Sequence, residues 1–500
     1  MTRRFLAGAA ASAALTFATL TAAAAAELRV GHAILPNLGN PLCCTANSQG
    51  YGLQIAYDHL VYMDEKGDPQ PGLLTEWKNI NPTTWQVKIR PNVKFHNGKT
   101  MTSGDIADQL NYLLTDDGKA RAVAIARNLP ALSGAKALDA STVEITTREP
   151  DGVFMQQLGA LKGMDWKHFG DVGYEGYATK PVGTGPYKSI VWQQDRMQME
   201  AFREGWRPGK IDKLTMLSLP ETSARVAAFQ SNQIEVAIQV NTDSGKEVEA
   251  GGGRMYTAMA PSNLTMFFNT QRPMASDVRF RRALNHAVNR DEYLKNIIGE
   301  GRTVATGQPA PRTVRGYQPD IKPYAYDPAK ARALLAEAGV APGTKIVAEI
   351  TTNSAELVDV YQQVASDLGK IGLPTELRIV TLPDLVQKAR ALKPVEAEFI
   401  NFDMGAFPTI DMMRSINALH SCKGTTKWTC FPEIEPTIAA ANAELDPKKR
   451  DGHLRKIAQY YHEMAPALFL HEQYQLDAVS NKVKGWKPVN WVINWHDLTM

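Results

Sequence analysis

The chain has 500 residues, with 55 Lys and Arg against 52 Asp and Glu and a formal net charge of +3. That near-balance gives no electrostatic reason to expect nucleic acid or an anionic membrane surface as a partner. Past the N-terminus no stretch is apolar enough to span a bilayer, and the length exceeds what one hydrophobic core holds, so two or more domains are expected.

Arg3 and Arg4 precede an apolar, Ala-rich run that ends in Ala22–Ala26. This is the basic n-region, apolar h-region and small-residue site of a signal peptide, residues 1–26, cleaved near Ala26–Glu27. The run is short and ends in small residues, which argues for removal over a membrane anchor. No Cys stands at the cleavage site. A soluble periplasmic protein, not a lipoprotein, is therefore expected. Thr2–Leu6 faintly resembles a twin-arginine signal but lacks the usual spacer, so the general secretory route is preferred.

Further on, Asn40–Ser48 is a polar loop carrying adjacent cysteines, Cys43 and Cys44. An oxidising compartment permits disulfides. A bond between neighbours is strained and readily reduced, and the alternative of two buried thiols is preferred. TTWQVKIR and STVEITTR alternate and are β-branched, hence strands, and His96-Asn97-Gly98 supplies a hairpin-type turn. Gly183-Thr184-Gly185-Pro186 is not a phosphate loop, because Pro186 removes a backbone donor and no Gly-Lys-Ser follows. The runs from Met255 (MYTAMAPSNLTMFFN) and Pro466 (PALFLHEQYQLDAVS) read as two apolar, extended crossings.

Between those crossings lie helices. Ser276 is the expected N-cap of the first, with Asp277 at its positive end and Phe280, Ala283, Leu284, Ala287 and Val288 at helical spacing. Arg279, Arg281 and Arg282 on it read as a solvated face. Asp327 caps the next helix, Pro328 opens it and Gly339 closes it. SAELVDVYQQVASDLGKIG places Leu357, Val360, Tyr361, Val364 and Leu368 on one face, and TELRIVTL follows as a strand. There is no H-E-x-x-H or G-x-S-x-G motif, and the ten His residues lack helical i, i+4 pairing. A metal reading of Cys422 and Cys430 needs further ligands at suitable spacing and none lie nearby, so no metal site is expected.

Five blocks carry a resemblance. They are GLLTEWKNINPTTWQVKIRPNVKFHNGKTMTSGDI from Gly72, PVGTGPYKSIVWQQDRMQMEAFREGW from Pro181, ETSARVAAFQSNQIEVA from Glu221, NTQRPMASDVRFRRALNHAVNRDEYL from Asn269 and YAYDPAKARALLAEAG from Tyr324. Their order resembles the family 5 solute-binding proteins of ABC importers. The resemblance implies an α/β, two-lobed periplasmic binding protein fold (type II, large cluster) with two crossover strands as hinge. Lobe I would hold 27–264 with a return segment 472–500, and lobe II 265–471. It implies a monomeric, non-catalytic receptor without cofactor. Such a receptor captures a peptide or peptide-like, conjugated solute and delivers it to a permease and ATPase complex at the inner membrane. A metal-chelate or haem receptor, or a chemosensory one, is the alternative.

The resemblance also implies site residues. Cys43, Thr45 and Asn47 fall in the first pocket loop. In lobe II the family's peptide-binding branches pair the ligand's ammonium with an Asp in a segment like G-W-x-x-D-x-x-D-P-D. The matching stretch here runs from Phe402 to Asp411, with Ala406 at the amine-pairing position, Thr409-Ile410 in place of Asp-Pro, and Asp403 where Trp is usual. Asp403, Met404, Gly405, Ala406 and Phe407 are thus ligand candidates, with His471 near the second hinge strand. The bland readings are an Asp403 turn cap, core packing for Met404 and Phe407, and a packing role for His471. These departures point away from an ordinary free-amine peptide. Cys422 and Cys430 resemble a bonded pair of the dipeptide-binding branch.

Overall fold

The computed structural model describes residues 26–500 apart from 37–38, 44–46, 300–301, 352–354, 382, 385–395 and 425–428. The expected signal peptide and Thr45 lie outside the described residues.

Two long strands organise the molecule. Gly253–Phe268 runs antiparallel to Ala467–Ser480, from the Gly253–Ser480 pair to the Phe267–Ala467 pair. Both are buried on both faces at their upper ends. Leu264, Met266, Phe268, Leu468 and Leu470 enter one hydrophobic cluster, while Phe267, Ala467 and Phe469 enter another. The period-2 alternation of side chains therefore finds core on each side, which is why these segments read as unbroken apolar runs. The ladder shifts register between Met259 and Asn263. Pro261 lies in that interval and has no N–H to give, as expected at an irregularity.

Around this pair the described residues form one eleven-stranded sheet. Its order is Thr375–Ile379, Ile346–Ile350, Phe399–Asn401, Gly253–Phe268, Ala467–Ser480, Val236–Ile238, Glu27–His32, Lys213–Ser218, Arg196–Ala201 and Tyr187–Trp192, with Met404–Gly405 pairing beside the crossover. A four-stranded antiparallel sheet, built from Leu74–Asn81, Thr84–Ile89, Thr142–Thr147 and Leu132–Asp139, extends the N-terminal lobe. Two hydrophobic clusters draw on the chain before residue 249 and after 475, and three draw on 264–470. The result is two lobes sharing one sheet.

The block from Asn269 owes its sequence to the second crossover. Arg281 is 0% exposed and donates to the carbonyls of Ala275, Ser276, Met464 and Ala465 at 2.7–3.2 Å. Asn285 donates to Ala467 O and accepts from Phe469 N. Arg290, also buried, bonds the carbonyls of Phe469, Asn285 and Val288. A buried guanidinium is tolerated when its fork of donors is filled, and here it satisfies carbonyls that would otherwise be stranded where the strand begins. The solvated-face reading of the arginine cluster is corrected accordingly. Arg279 is exposed and pairs with Asp277, but Arg281 is interior and Arg282 is half-buried and holds Glu463 O.

The cap also moves by one residue. Helix Val278–Ala287 is capped by Asp277, whose carboxylate accepts from Arg279 N at 2.8 Å, while Ser276 ends a preceding turn. Asp can serve both as cap and as the dipole's counter-charge, so one residue does both jobs. Helix Pro328–Glu337 has the expected Asp327 cap, and Gly339 sits at φ +71°.

Candidate functional site: the interlobe cavity

The lobes are in contact. Arg315 Nη1 meets Asp68 Oδ1 at 2.5 Å, and Gly152 N donates to Asn442 O at 2.6 Å. Gly67, at φ +80°, lies so close to Ile410 that a Cβ would stand 2.3 Å from its carbonyl oxygen. Phe407 meets Trp491 edge-on, with ring centroids 5.9 Å apart.

Between these contacts are two adjoining crevices with free space of only about 20 and 10 Å³, room for a single water molecule each. They share His59, Gly159, Phe407 and Pro408. One extends past Val61, Tyr62, Met63, Ile410, Asn490 and Val492, and the other past Gly50, Gln54, Ala160 and Lys162. Beyond Tyr62, Met63 and Val492 the first meets a wide groove of about 760 Å³ that also touches Arg90, Trp206 and Arg207. The crevices are lined from both lobes by apolar groups and a few polar ones, as small-solute sites are, and a solute has room there only when the lobes part.

Each wall is fixed by local structure. Gln54, on helix Asn47–Ala56, donates to Trp491 O at 3.2 Å and accepts from Ile493 N at 3.1 Å, which ties that helix to the C-terminal return. Asn490 and Trp491 sit at φ +49° and +64° in a two-residue turn closed by Val489 and Val492. Asn tolerates that conformation, but Trp is strained there by about 1–2 kcal/mol. The turn sets the Trp491 ring against Phe407. On the facing lobe, Asp411 is 1% exposed and forms a two-pronged pair with Arg450 at 2.6 and 3.0 Å, which anchors the loop that carries Phe407.

The polar groups at the inner end are unusual. His59 Nδ1 donates to Gly159 O at 2.7 Å, and its Nε2 is buried without a partner among the described residues. Burial, helped by the Lys162 charge, lowers its pKa to about 3, so the ring is neutral and Nε2 is an acceptor. Lys162 is 5% exposed, and burial alone lowers its pKa to about 8. The neighbouring Asp58 is committed elsewhere, accepting from Arg207 Nε at 2.6 Å and Trp206 Nε1 at 2.7 Å.

The sequence-derived candidates fall in several places. Phe407 lines the cavity. Ala406 is buried in its own lobe and donates its N–H to Pro261 O. Met404 packs with Phe267 and Phe469, and Gly405 pairs with Ser262 on the crossover. Asp403 is open to water and accepts from Gln473 Nε2 at 3.0 Å. Protein crowded around its carboxyl raises the pKa to about 6, but the open surface weighs against so strong a desolvation; on either view the group is ionised at neutral pH. His471 is interior, beside Tyr293. Asn47 begins its helix, with its side chain outside the described residues. Cys43 is disulfide-bonded and half-buried, which corrects the reading of free thiols; its partner lies outside the described residues. Cys422 and Cys430 are bonded, with Cα atoms 4.7 Å apart. The sequence reading missed Gln54, His59, Lys162 and Trp491. One signal was available for Lys162: it is a lone cation in the run FMQQLGALKGM.

The chain matches the family model described as bacterial extracellular solute-binding proteins, family 5 middle, over residues 68–423. It is 26% identical over 426 residues to the glutathione-binding protein GsiB of Pectobacterium atrosepticum, covering 81% of this chain and 80% of that one. It is 26% identical over 459 residues to the dipeptide-binding protein of Escherichia coli K12, covering 83% of each. Among solved structures, the substrate-binding protein CtaP of Listeria monocytogenes has a TM-score of 0.85 at 18% identity, covering 95% of this chain and 99% of that one. The periplasmic binding protein DppA of Helicobacter pylori, solved with the peptide STSA, has a TM-score of 0.77 at 22% identity, covering 95% and 98%. These structures establish the fold as the two-lobed type II periplasmic binding protein fold.

Proposed function

Because this chain belongs to the family 5 bacterial extracellular solute-binding proteins, we propose that it is the periplasmic receptor of an ABC importer for a small peptide or peptide-like, conjugated solute. The observation that carries the reading is the cavity built from both lobes, with Phe407 and Pro408 on one side and His59, Gly159 and Lys162 on the other. A solute there is enclosed when the lobes close about the two crossover strands, and the closed form is what a permease can distinguish. The relatives that bind glutathione and dipeptides support the solute class.

The lobes divide at 264 and 471, so that lobe I comprises 27–264 and 472–500 and lobe II 265–471. The hydrophobic clusters support this division, since those of the two lobes draw on separate stretches of the chain. Residues 1–26 direct export and are removed near Ala26, and the mature receptor works as a soluble monomer. It performs no catalysis. Among the described residues no helix is long and apolar enough to cross a membrane.

Ala406 offers no carboxylate to a ligand ammonium, and among the described residues no acid lines the two pockets. An unpaired ammonium enclosed there is costly. Calorimetry with reduced glutathione, L-alanyl-L-alanine and its N-acetyl form tests the reading. At least one is expected to bind, and the free-amine dipeptide is expected to gain nothing from its ammonium. Tight binding of the free-amine dipeptide that is lost on acetylation would overturn the assignment of this loop. Failure of all three would overturn the peptide-like solute class.

A further inference from the structure

We propose that Lys162 is the subsite for a carboxylate of the captured solute, and that His59 Nε2 accepts a hydrogen bond from an N–H or O–H of the same molecule. The inference rests on the solute-receptor reading above and names the chemistry at the inner end of its cavity.

Lys162 differs from three other interior cations, Arg281, Arg290 and Arg450. Arg281 spends its donors on four carbonyls, Arg290 on three carbonyls and the Asn285 side chain, and Arg450 on Asp411 and Ala441 O. Lys162 is as enclosed as these. Yet among the described residues its ammonium has no hydrogen-bond acceptor or acid within bonding distance, and burial is the sole influence on its titration. Its wall belongs to the interlobe cavity, next to Gln54, His59, Phe407 and Pro408. An unpaired interior charge is expensive to keep, and a lysine is retained in such a place when something else completes it. The candidate acid within the protein, Asp58, is held by Arg207 and Trp206.

Two further features favour an anion. Gly50 lines the same pocket and lies in the first turn of the ten-residue helix Asn47–Ala56, whose positive end is therefore on this side. Asp58 is matched by Arg207, and His59 beside the lysine is uncharged, so no acid among the described residues answers the Lys162 charge. The neutral imidazole matters in a second way. With its Nδ1 proton given to Gly159 O, Nε2 presents a lone pair and needs a donor. A solute with a carboxylate next to an N–H, as at the C-terminal end of a peptide, meets both demands. A cation or a neutral sugar meets at most one.

The test uses wild type, Lys162→Met and Lys162→Gln, with two kinds of probe. Sodium acetate is compared with sodium chloride at equal ionic strength by thermal unfolding. N-acetyl-L-alanyl-L-alanine and reduced glutathione are compared with their C-terminal amides by calorimetry. Acetate is expected to raise the unfolding temperature of wild type at pH 7 and of neither variant. The wild-type response should fade as pH rises past 8, where the free lysine loses its proton. Free acids are expected to bind wild type about a hundredfold or more tighter than the amides, and that preference should vanish in both variants. If acids and amides bind equally, or the variants keep the preference, the Lys162 assignment is overturned while the peptide reading stands. If no peptide binds but the acetate response depends on Lys162, the peptide reading falls and the anion subsite stands. If acetate acts on all three proteins alike and no probe prefers the acid, the assignment is overturned.

Discussion

Arg450 and Lys162 are both interior cations, and they are built in opposite ways. Arg450 is 2% exposed and meets Asp411 through two hydrogen bonds, with a third to Ala441 O. It closes on the protein itself and holds the loop that carries Phe407. Lys162 is enclosed to a similar degree, opens onto the interlobe cavity and is left without an internal counter-charge among the described residues. The first is a fixed part of the frame. The second is a group whose partner arrives with the solute. Burial alone does not separate structural from functional charges; the state of their donors does.

That contrast predicts opposite signs on mutation. Arg450→Met strands the Asp411 carboxylate in the interior, and the expected loss is about 3–5 kcal/mol in denaturant unfolding. Lys162→Met removes an uncompensated charge, so the unliganded protein should gain stability. With a pKa lowered from 10.5 to about 8, the gain is on the order of 3 kcal/mol at pH 7. Below pH 8 both folded and unfolded states hold the proton, and the full penalty applies. Between about 8 and 10.5 the unfolded state binds more protons, so wild-type stability rises with pH and the advantage of the variant shrinks. Urea titrations of both proteins at pH 7 and pH 10 read this directly, and a variant less stable than wild type at pH 7 would break the comparison.

Smaller effects sharpen the picture of the frame. Reducing or replacing the Cys422–Cys430 bond frees a short loop after the cavity segment and should cost roughly 2–3 kcal/mol. Non-reducing peptide mapping should recover the pair intact, and recovery of both as alkylated thiols would contradict the assignment. Asp277→Ala removes the cap of helix Val278–Ala287 and should cost about 1 kcal/mol, with little effect on solute binding. The same change at Ser276 should cost less, which separates the two cap assignments.

Much of the fold was legible because it rests on local signals. The crossings from Met255 and Pro466 are visible as apolar runs, the helix from Asp327 shows both cap and period, and the helix from Asp277 shows its period with the cap one residue later than expected. Arg281 was not legible, since a cluster of charges reads as surface until one knows that the stranded carbonyls of Met464 and Ala465 sit beside it. Cys43 was misread for a similar reason: adjacency argues for strain, and nothing local shows what the surrounding fold holds in place.

The site was only partly legible. The loop around Phe407 was found through resemblance, and Phe407 does line the cavity. Gln54 with His59, Lys162, and Trp491 come from three separate stretches of the chain, and only the folding of their own lobe gathers them on one side, with Trp491 facing Phe407. Lys162 stood out as one cation in an apolar run, but that pattern alone does not distinguish a snorkelling side chain from an enclosed one.

The central claim is that the cavity between the lobes takes a peptide-like solute by a carboxylate. Mass spectrometry of what the periplasmically exported protein carries, after mild denaturation and alongside Lys162→Met, tests it most directly. The account predicts a small solute bearing a carboxylate beside an N–H, present with wild type and depleted in the variant. A neutral sugar, or a carboxylate solute retained equally by both proteins, would contradict it.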